Sequence, residues 1–258
     1  MTVKSEKLEI KKATIDDLRF ALSQGVADFL KTPLFGLFFG GIYAIGGIVM
    51  FCGIFVFEMF WLAYPLVIGF SLIGPFIATG LYEVSRRLGN DAELSWPDIL
   101  GVIWLQHRRE LGWMAFVMLF IFWVWMYQIR TLVAVFFGFA GFASFSGFVD
   151  AVLTTSNGWT FLLAGHLVGA VLSIALFMLT VISCPLLLDR DTDFVTAMIT
   201  SIKTVLKSPF AMFGWGFFVI VSVTLSMLPA FLGLVFALPI LGHATWHLYR
   251  RLIGASHI

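Results

Sequence analysis

From Pro33 to Phe57 and again from Met59 to Tyr82 the chain carries no Asp, Glu, Lys or Arg; only Glu58 separates the two runs. A helix needs about 20 apolar residues to cross the hydrocarbon core of a bilayer. These runs therefore predict two spans joined by a tight turn near Glu58. Pro209 to Tyr249 is equally free of charge, with its turn predicted near Met227-Leu228-Pro229. Hydrophobic residues make up 60% of the 258 and charged residues 12%. A soluble domain runs at about 45–50% apolar and about 25% charged, so that class is excluded. Met1 to Lys12 is polar and holds no apolar leader core, so insertion is expected to rely on the internal segments.

The run before each hairpin repeats. Asp17 to Pro33 closes on Lys31-Thr32-Pro33, and Asp193 to Pro209 closes on Lys207-Ser208-Pro209. In the first, Ile15, Leu18, Leu22, Val26 and Phe29 fall at helical spacing with Asp16, Arg19, Gln24 and Asp28 between them. Thr14 and Asp17 have the spacing of a capping box. Such a helix is too polar to span and is predicted to lie at the membrane interface. Pro33 and Pro209 suit the first turn of the helix that follows, where a missing N–H costs nothing. A looser third version, Asp98 to Arg109, follows the Ser95-Trp96-Pro97 start signal. The hairpins end on Arg86-Arg87 and Arg250-Arg251, and Pro75 and Pro239 each lie 11 residues before the first arginine of their pair.

Charge placement sets the span count. Of the 16 Lys and Arg residues, all but Arg130 fall on one side in a six-span reading. The positive-inside rule makes that side cytoplasmic. Counting 131–149 as a seventh span would split the set. The predicted fold is an all-α membrane protein: six transmembrane helices as three hairpins, each preceded by an amphipathic interfacial helix. First and last hairpins are parallel repeats. The boundaries are a polar N-terminal tail at 1–13, a first module at 14–90, a second at 91–189, a third at 190–252, and a C-terminal tail at 253–258. The second module's spans are placed near Leu111–Gln128 and Trp159–Asp189. Between them, the apolar segment 130–157 is open to three readings: a span extension, a re-entrant piece or an outer-face helix. Localisation is expected in a bacterial inner membrane, with both termini cytoplasmic.

Residues with chemical capacity are few. His243 and His247 stand at i, i+4 on one helix face, a spacing that can hold a metal. His166 lies roughly 10 Å from His243 in depth at 1.5 Å rise per residue, too far to share an ion. Without a third ligand, hydrogen-bonded packing is the better reading for all three, and no metal or cofactor is expected. Asp189, Asp191 and Asp193 lack the glycine turn and terminal glutamate of a calcium loop. They read as helix capping plus an ion pair to Arg190. Glu83 sits three and four residues before Arg86 and Arg87, a spacing that pairs them. Gly36/Gly40 and Gly165/Gly169 form GxxxG patterns, read as close helix packing with self-association as the alternative. Cys52 and Cys184 are expected to be free thiols. The boundary arginines fit lipid head groups better than nucleic acid. Sequence alone singles out His166, His243, His247, Asp189, Arg190, Lys31, Pro33, Lys207 and Pro209, in structural or functional roles. It assigns none of them to catalysis.

The Lys-Thr/Ser-Pro corners, the stretch Cys184-Pro185-Leu186-Leu187-Leu188-Asp189-Arg190 and the closing Trp246-His247-Leu248-Tyr249-Arg250-Arg251 resemble an uncharacterised bacterial six-span membrane family, labelled domain of unknown function 2189. The resemblance covers about Ile15 to Leu252. Some members of that family are labelled as cytochrome c oxidase-related, which implies a respiratory-membrane setting. The scattered histidines here do not make an oxidase core. The expected function is a non-catalytic accessory or scaffold protein, with membrane lipids and other integral membrane subunits as partners, or copies of itself in a homo-oligomer. The alternative is a small-solute facilitator or channel with its path between the first and last hairpins, near Pro75 and Pro239.

Overall fold

The structure, a computed structural model, describes residues 8–57, 63–106, 110–138 and 145–255. In order these form β1 (Leu8–Ile10), α1 (Ile15–Lys31), α2 (Pro33–Phe51), α3 (Ala63–Gly89), α4 (Trp96–Gln106), α5 (Glu110–Phe137), α6 (Phe145–Thr154), α7 (Ser156–Thr180), α8 (Ser183–Asp189), α9 (Phe194–Lys207), α10 (Pro209–Met227), α11 (Leu234–Leu252) and β2 (Ile253–Ala255). A π-helical turn, Cys52–Val56, prolongs α2. The turn expected near Glu58, and His107-Arg108-Arg109, lie outside the described residues. The chain divides into two compact units, one of Met1–Ala115 with Met178–Ile258, the other of Phe116–Phe177.

In the first unit, α1 begins where the capping box predicts. Thr14 Oγ1 accepts from the Asp17 N–H, and the Asp17 carboxylate accepts from the Thr14 N–H at 3.0 Å, so two orphan groups of the first turn satisfy each other. The two proline corners bend alike. Thr32 has φ −132° and ψ 52°, Ser208 φ −143° and ψ 60°, and Pro33 and Pro209 open α2 and α10.

The buried face of α1 differs from the expected stripe. Ala21, Gly25, Asp28 and Phe29 are buried, while Ile15 and Val26 of the predicted apolar set are exposed. The reason is the partner. α1 lies against α11 closely enough that a Cβ on Gly25 would stand 2.6 Å from Ile240 O and 2.7 Å from Ala244 N. The smallest residues of α1, rather than the bulkiest, mark the contact, as in membrane helix pairs generally.

α2 makes a second seam with α11. A Cβ on Gly40 would meet Val235 O at 2.6 Å, and one on Gly36 would meet the Phe29 ring at 2.6 Å and Pro239 Cβ at 3.3 Å. The first GxxxG pattern thus serves packing within the chain. Phe39, Ile77, Leu81, Val84 and Ile99 form a core joining α2, α3 and α4. The turn from α10 to α11 passes through the left-handed region at Ala230 (φ 50°) and Phe231 (φ 65°), and the Phe231 ring fills the space a side chain on Gly47 would take. α8 and α9 are tied by the Ile182 N–H donating to Ser201 Oγ at 3.2 Å. Glu110 Oε2 accepts from the N–H of Phe194, adding to the Asp193 cap of α9.

Both ends, expected as tails, instead pair with each other. β1 and β2 run antiparallel, with Leu8 opposite Ala255 and Ile10 opposite Ile253. The Lys11 N–H extends the pairing to Leu252 O at 2.8 Å. The two expected tails therefore meet in a short ladder.

In the second unit, α5 runs on to Phe137, well past Gln128, and Arg130 lies within it. Residues 130–137 are thus an extension of that helix. Gly138 then turns with φ +82°, and α6 stands as a separate short helix before α7. Of the three readings for 130–157, the described residues combine the extension with a further helix; 139–144 lie outside the described residues. Phe137, Phe148 and Phe161 pack edge to face with centroids 5.4–6.2 Å apart, which places the phenylalanine-rich stretch in an aromatic cluster. Gly165 and Gly169 have their nearest neighbours at 4.0 Å, Leu132 Cδ1 and Trp125 Nε1.

Candidate functional site

His243 and His247 do not converge on a common ligand. One turn apart on α11, each reaches a different partner. His243 is fully buried, with Nδ1 2.7 Å from Ser85 Oγ on α3. His247 Nε2 donates to Asp28 Oδ2 on α1 at 2.7 Å. Ser85 closes the set, since its hydroxyl donates to the same Asp28 Oδ2 at 2.7 Å.

One hydroxyl has one proton, and that assignment fixes the rest. With the Ser85 proton directed at Asp28, Ser85 Oγ is an acceptor toward His243, so His243 carries its proton on Nδ1. The chain reads His243 Nδ1–H to Ser85 Oγ–H to Asp28 Oδ2, met from the other side by His247 Nε2–H. His243 Nε2 is then a bare acceptor, buried, and the only such side-chain atom without a hydrogen-bond partner among the described residues. The network clamps α1, α3 and α11 together at one level, with Asp28 only 3% exposed.

Burial opposes charge on Asp28, but the hydrogen bonds from His247 and Ser85 outweigh it and hold the carboxyl below its ordinary value. A carboxylate depressed in the folded state stabilises the fold at pH above its unfolded value, and that contribution is lost as pH falls through the folded one. The wild type is therefore expected to lose stability as the medium is taken below about pH 4, near the ordinary carboxylate pKa. Asp28→Asn removes the Asp28 share of that acid-dependent loss and lowers stability at neutral pH by about 1.5–3 kcal/mol, the range for hydrogen bonds to a charged group. Thermal unfolding of both proteins in detergent across acidic and neutral pH checks both parts. An unchanged acid slope in the variant would remove Asp28 as its cause.

The other residues singled out from sequence fall elsewhere. His166 belongs to the second unit, is exposed, and donates from Nδ1 to its own helix at Leu162 O, 2.7 Å away. Asp189 accepts the Tyr249 hydroxyl at 2.7 Å and Arg250 Nη1 at 3.1 Å, and Arg190 Nε stands at 3.9 Å. Asp193 caps α9 through the Thr196 N–H. Lys31 is exposed at the end of α1. Lys207 reaches across to Ile10 O at 2.5 Å, and its neighbour Ser208 accepts from the Ala13 N–H at 2.8 Å, so the second corner pins the segment leading out of β1. Glu83, fully buried, binds Arg86 Nε at 2.6 Å and Arg87 Nε at 2.8 Å. Cys52 and Cys184 are free thiols. Among the described residues no three His, Cys, Asp or Glu side chains gather as metal ligands would.

Asp28 and Ser85 are the site residues that sequence reasoning missed. By spacing alone Asp28 is one of the polar positions between apolar ones. The available signal was its position one turn after Gly25, on the face that small residues mark for close packing.

Among the described residues, four helical stretches are long and apolar enough to cross a membrane: Pro33–Phe51, Glu110–Phe137, the run Ser156–Asp189, and Pro209–Met227. They also turn large apolar side chains outward, among them Phe210, Phe217, Ile220 and Leu225 on α10 and Trp159, Leu163, Leu167 and Val171 at every fourth position of α7. In water such stripes would be aggregation surfaces; in a bilayer they meet lipid. The chain is an integral membrane protein with several apolar helices.

Residues 63–189 match the family model described as Predicted integral membrane protein (DUF2189), the family to which the sequence motifs point. The match is narrower than the resemblance. It takes in Cys184 to Asp189 and leaves both proline corners and the closing Trp246–Arg251 motif outside. Its description names neither an oxidase nor a number of spans. No curated protein and no solved structure matches the chain.

Proposed function

We propose that the chain is a non-catalytic accessory or scaffold protein of a bacterial inner membrane, crossing it six times with both termini in the cytoplasm. In this reading α3 and α11 join the four most apolar helical stretches as spans. The matching geometry of the Thr32 and Ser208 corners supports reading the first and last hairpins as parallel repeats. α1, α4 and α9 are the interfacial helices.

The observation that carries the accessory reading is the seam between α2 and α11. Gly40 brings these helices so close that one added carbon would stand 2.6 Å from Val235 O, and one on Gly36 would stand 3.3 Å from Pro239 Cβ. A facilitator path near Pro239 would have to run through this seam, where Pro239 is itself buried. The charged groups of the unit also engage one another, Asp28 with His247, Glu83 with Arg86 and Arg87, and Asp189 with Tyr249 and Arg250.

Two experiments test the proposal. A topology reporter fused after Arg251 is expected to read cytoplasmic; an external reading overturns the six-span arrangement. Purification from native membranes in mild detergent is expected to recover stoichiometric integral membrane subunits. Recovery of the protein alone, together with solute flux in liposomes, would overturn the accessory role in favour of a facilitator.

A further inference from the structure

The ladder of β1 and β2 has a consequence for charge. It brings Lys11 and Lys12, which follow the first strand, beside Arg250 and Arg251, which precede the second. These four cations and one carboxylate, Asp17, line a cavity of about 460 Å³, within the span of about 300–1,000 Å³ typical of small-ligand sites. The pocket lining carries a formal charge of +3.

Its cations are placed rather than loose. Arg251 Nε donates to Asp17 Oδ1 at 2.7 Å, and the Arg251 guanidinium lies 4.4 Å over the Phe20 ring. Arg250 Nη1 is held by Asp189 at 3.1 Å. The backbone carrying the lysines is pinned by Lys11 N–H to Leu252 O, Ala13 N–H to Ser208 Oγ, and Lys207 Nζ to Ile10 O. At physiological ionic strength charges act together over about 8 Å, so the positive charge that Asp17 and Asp189 leave unbalanced on this wall favours entry of an anion. Arginine guanidinium is suited to phosphate oxygens by its planar fork.

We propose that this pocket binds the phosphate of an anionic phospholipid head group at the membrane surface. The source is argued from what adjoins the cations. Phe20, under Arg251, is 41% exposed, and Ile15, in the first turn of α1, is 64% exposed. A phosphate-bearing lipid would set its charge in the pocket and lay its chains against Phe20 and the other exposed apolar side chains of α1. The cytoplasmic placement of the pocket rests on the six-span reading; its chemistry does not.

The test uses the full chain in a neutral detergent, so that binding is read independently of topology and of any protein partner. The probes are short-chain phosphatidylglycerol, short-chain phosphatidylcholine and inorganic phosphate, each followed by native mass spectrometry and by shift of the unfolding temperature. The key variant is Lys11→Gln with Lys12→Gln, exposed positions with no place in the core; the tied arginines are left intact. Phosphatidylglycerol is expected to bind the wild type and to bind the variant about thirtyfold more weakly, as two interfacial charges would dictate. Phosphatidylcholine is expected to bind more weakly and to be insensitive to the change. Equal phosphatidylglycerol binding by the two proteins would overturn the site. Inorganic phosphate binding as tightly as phosphatidylglycerol would overturn the lipid as its source. Should the double variant unfold, Lys12→Gln alone is measured under the same criteria.

Discussion

Gly25→Ala is expected to pull α1 away from α11 and to destabilise the detergent-solubilised protein by about 3 kcal/mol, the upper part of the range for overpacking. The sign is not obvious from the residue types. Alanine is the better helix former by about 1 kcal/mol, so at an open position the same change should stabilise. What reverses it is the identity of the obstructing atoms. Ile240 O and Ala244 N are helix backbone, at 2.6 and 2.7 Å from the new carbon, and the nearest side-chain atom, Ala244 Cβ at 2.8 Å, has no rotamer by which to retreat. Only translation of one helix, by about 1 Å to reach ordinary contact distance, relieves the clash. That shift also strains Asp28, one turn on, in its bonds to Ser85 and His247. Gly41→Ala is the control, because a Cβ there meets nothing within 4 Å. Thermal unfolding of the two variants side by side decides the matter. Similar behaviour in both would mean that α1 is not seated on α11 as described.

That contact also shows what could be read from the chain. The beginning and end of α1 were legible because they depend on neighbours in sequence: Thr14 with Asp17 at one end, Lys31-Thr32-Pro33 at the other. Glu83 with Arg86 and Arg87 was legible for the same reason, since i, i+3 and i, i+4 spacing puts them on one helix face. The buried face of α1 was not. Apolar periodicity points to the bulky residues, but inside a bilayer lipid is as apolar as protein, and a bulky stripe can face either. Ile15 and Val26 are exposed while Gly25 and Asp28 are covered. The second corner's additional task was hidden as well. Lys207 and Ser208 look like Lys31 and Thr32 in sequence, yet they hold the strand segment at 10–13, a contact nearly 200 residues away in the chain. His243 and His247 invited a metal reading because spacing alone cannot tell whether two imidazoles meet one ion or two different hydrogen-bond partners. The ladder between the chain ends had no local signal of its own, because its strands are three residues each.

Glu83 supplies the other large effect, and its direction depends on which partner is removed. The carboxylate is fully buried, while the Arg86 and Arg87 side chains are 36% and 20% exposed. If Glu83 is replaced by glutamine, both guanidinium groups retain a route to water or to other acceptors, and Arg87 keeps Asp98 Oδ2 at 3.0 Å and Glu93 O at 2.9 Å. If both arginines are replaced by alanine, a buried carboxylate is left facing no cation, and the tie from α3 to α4 through Asp98 is lost with it. Breaking a buried pair in this way costs about 3–5 kcal/mol. The Arg86→Ala, Arg87→Ala protein is therefore expected to be far less stable than Glu83→Gln. Adding Glu83→Gln to the double arginine variant should restore much of the loss, because the amide needs no counter-charge. Unfolding midpoints of the three variants in one detergent give the ordering. If the double arginine variant proves no less stable than Glu83→Gln, Glu83 is not held buried as a charge by these two arginines. Recovery in the triple variant would separate a stranded charge from simple loss of packing by the arginine stems, since glutamine restores no stem contacts.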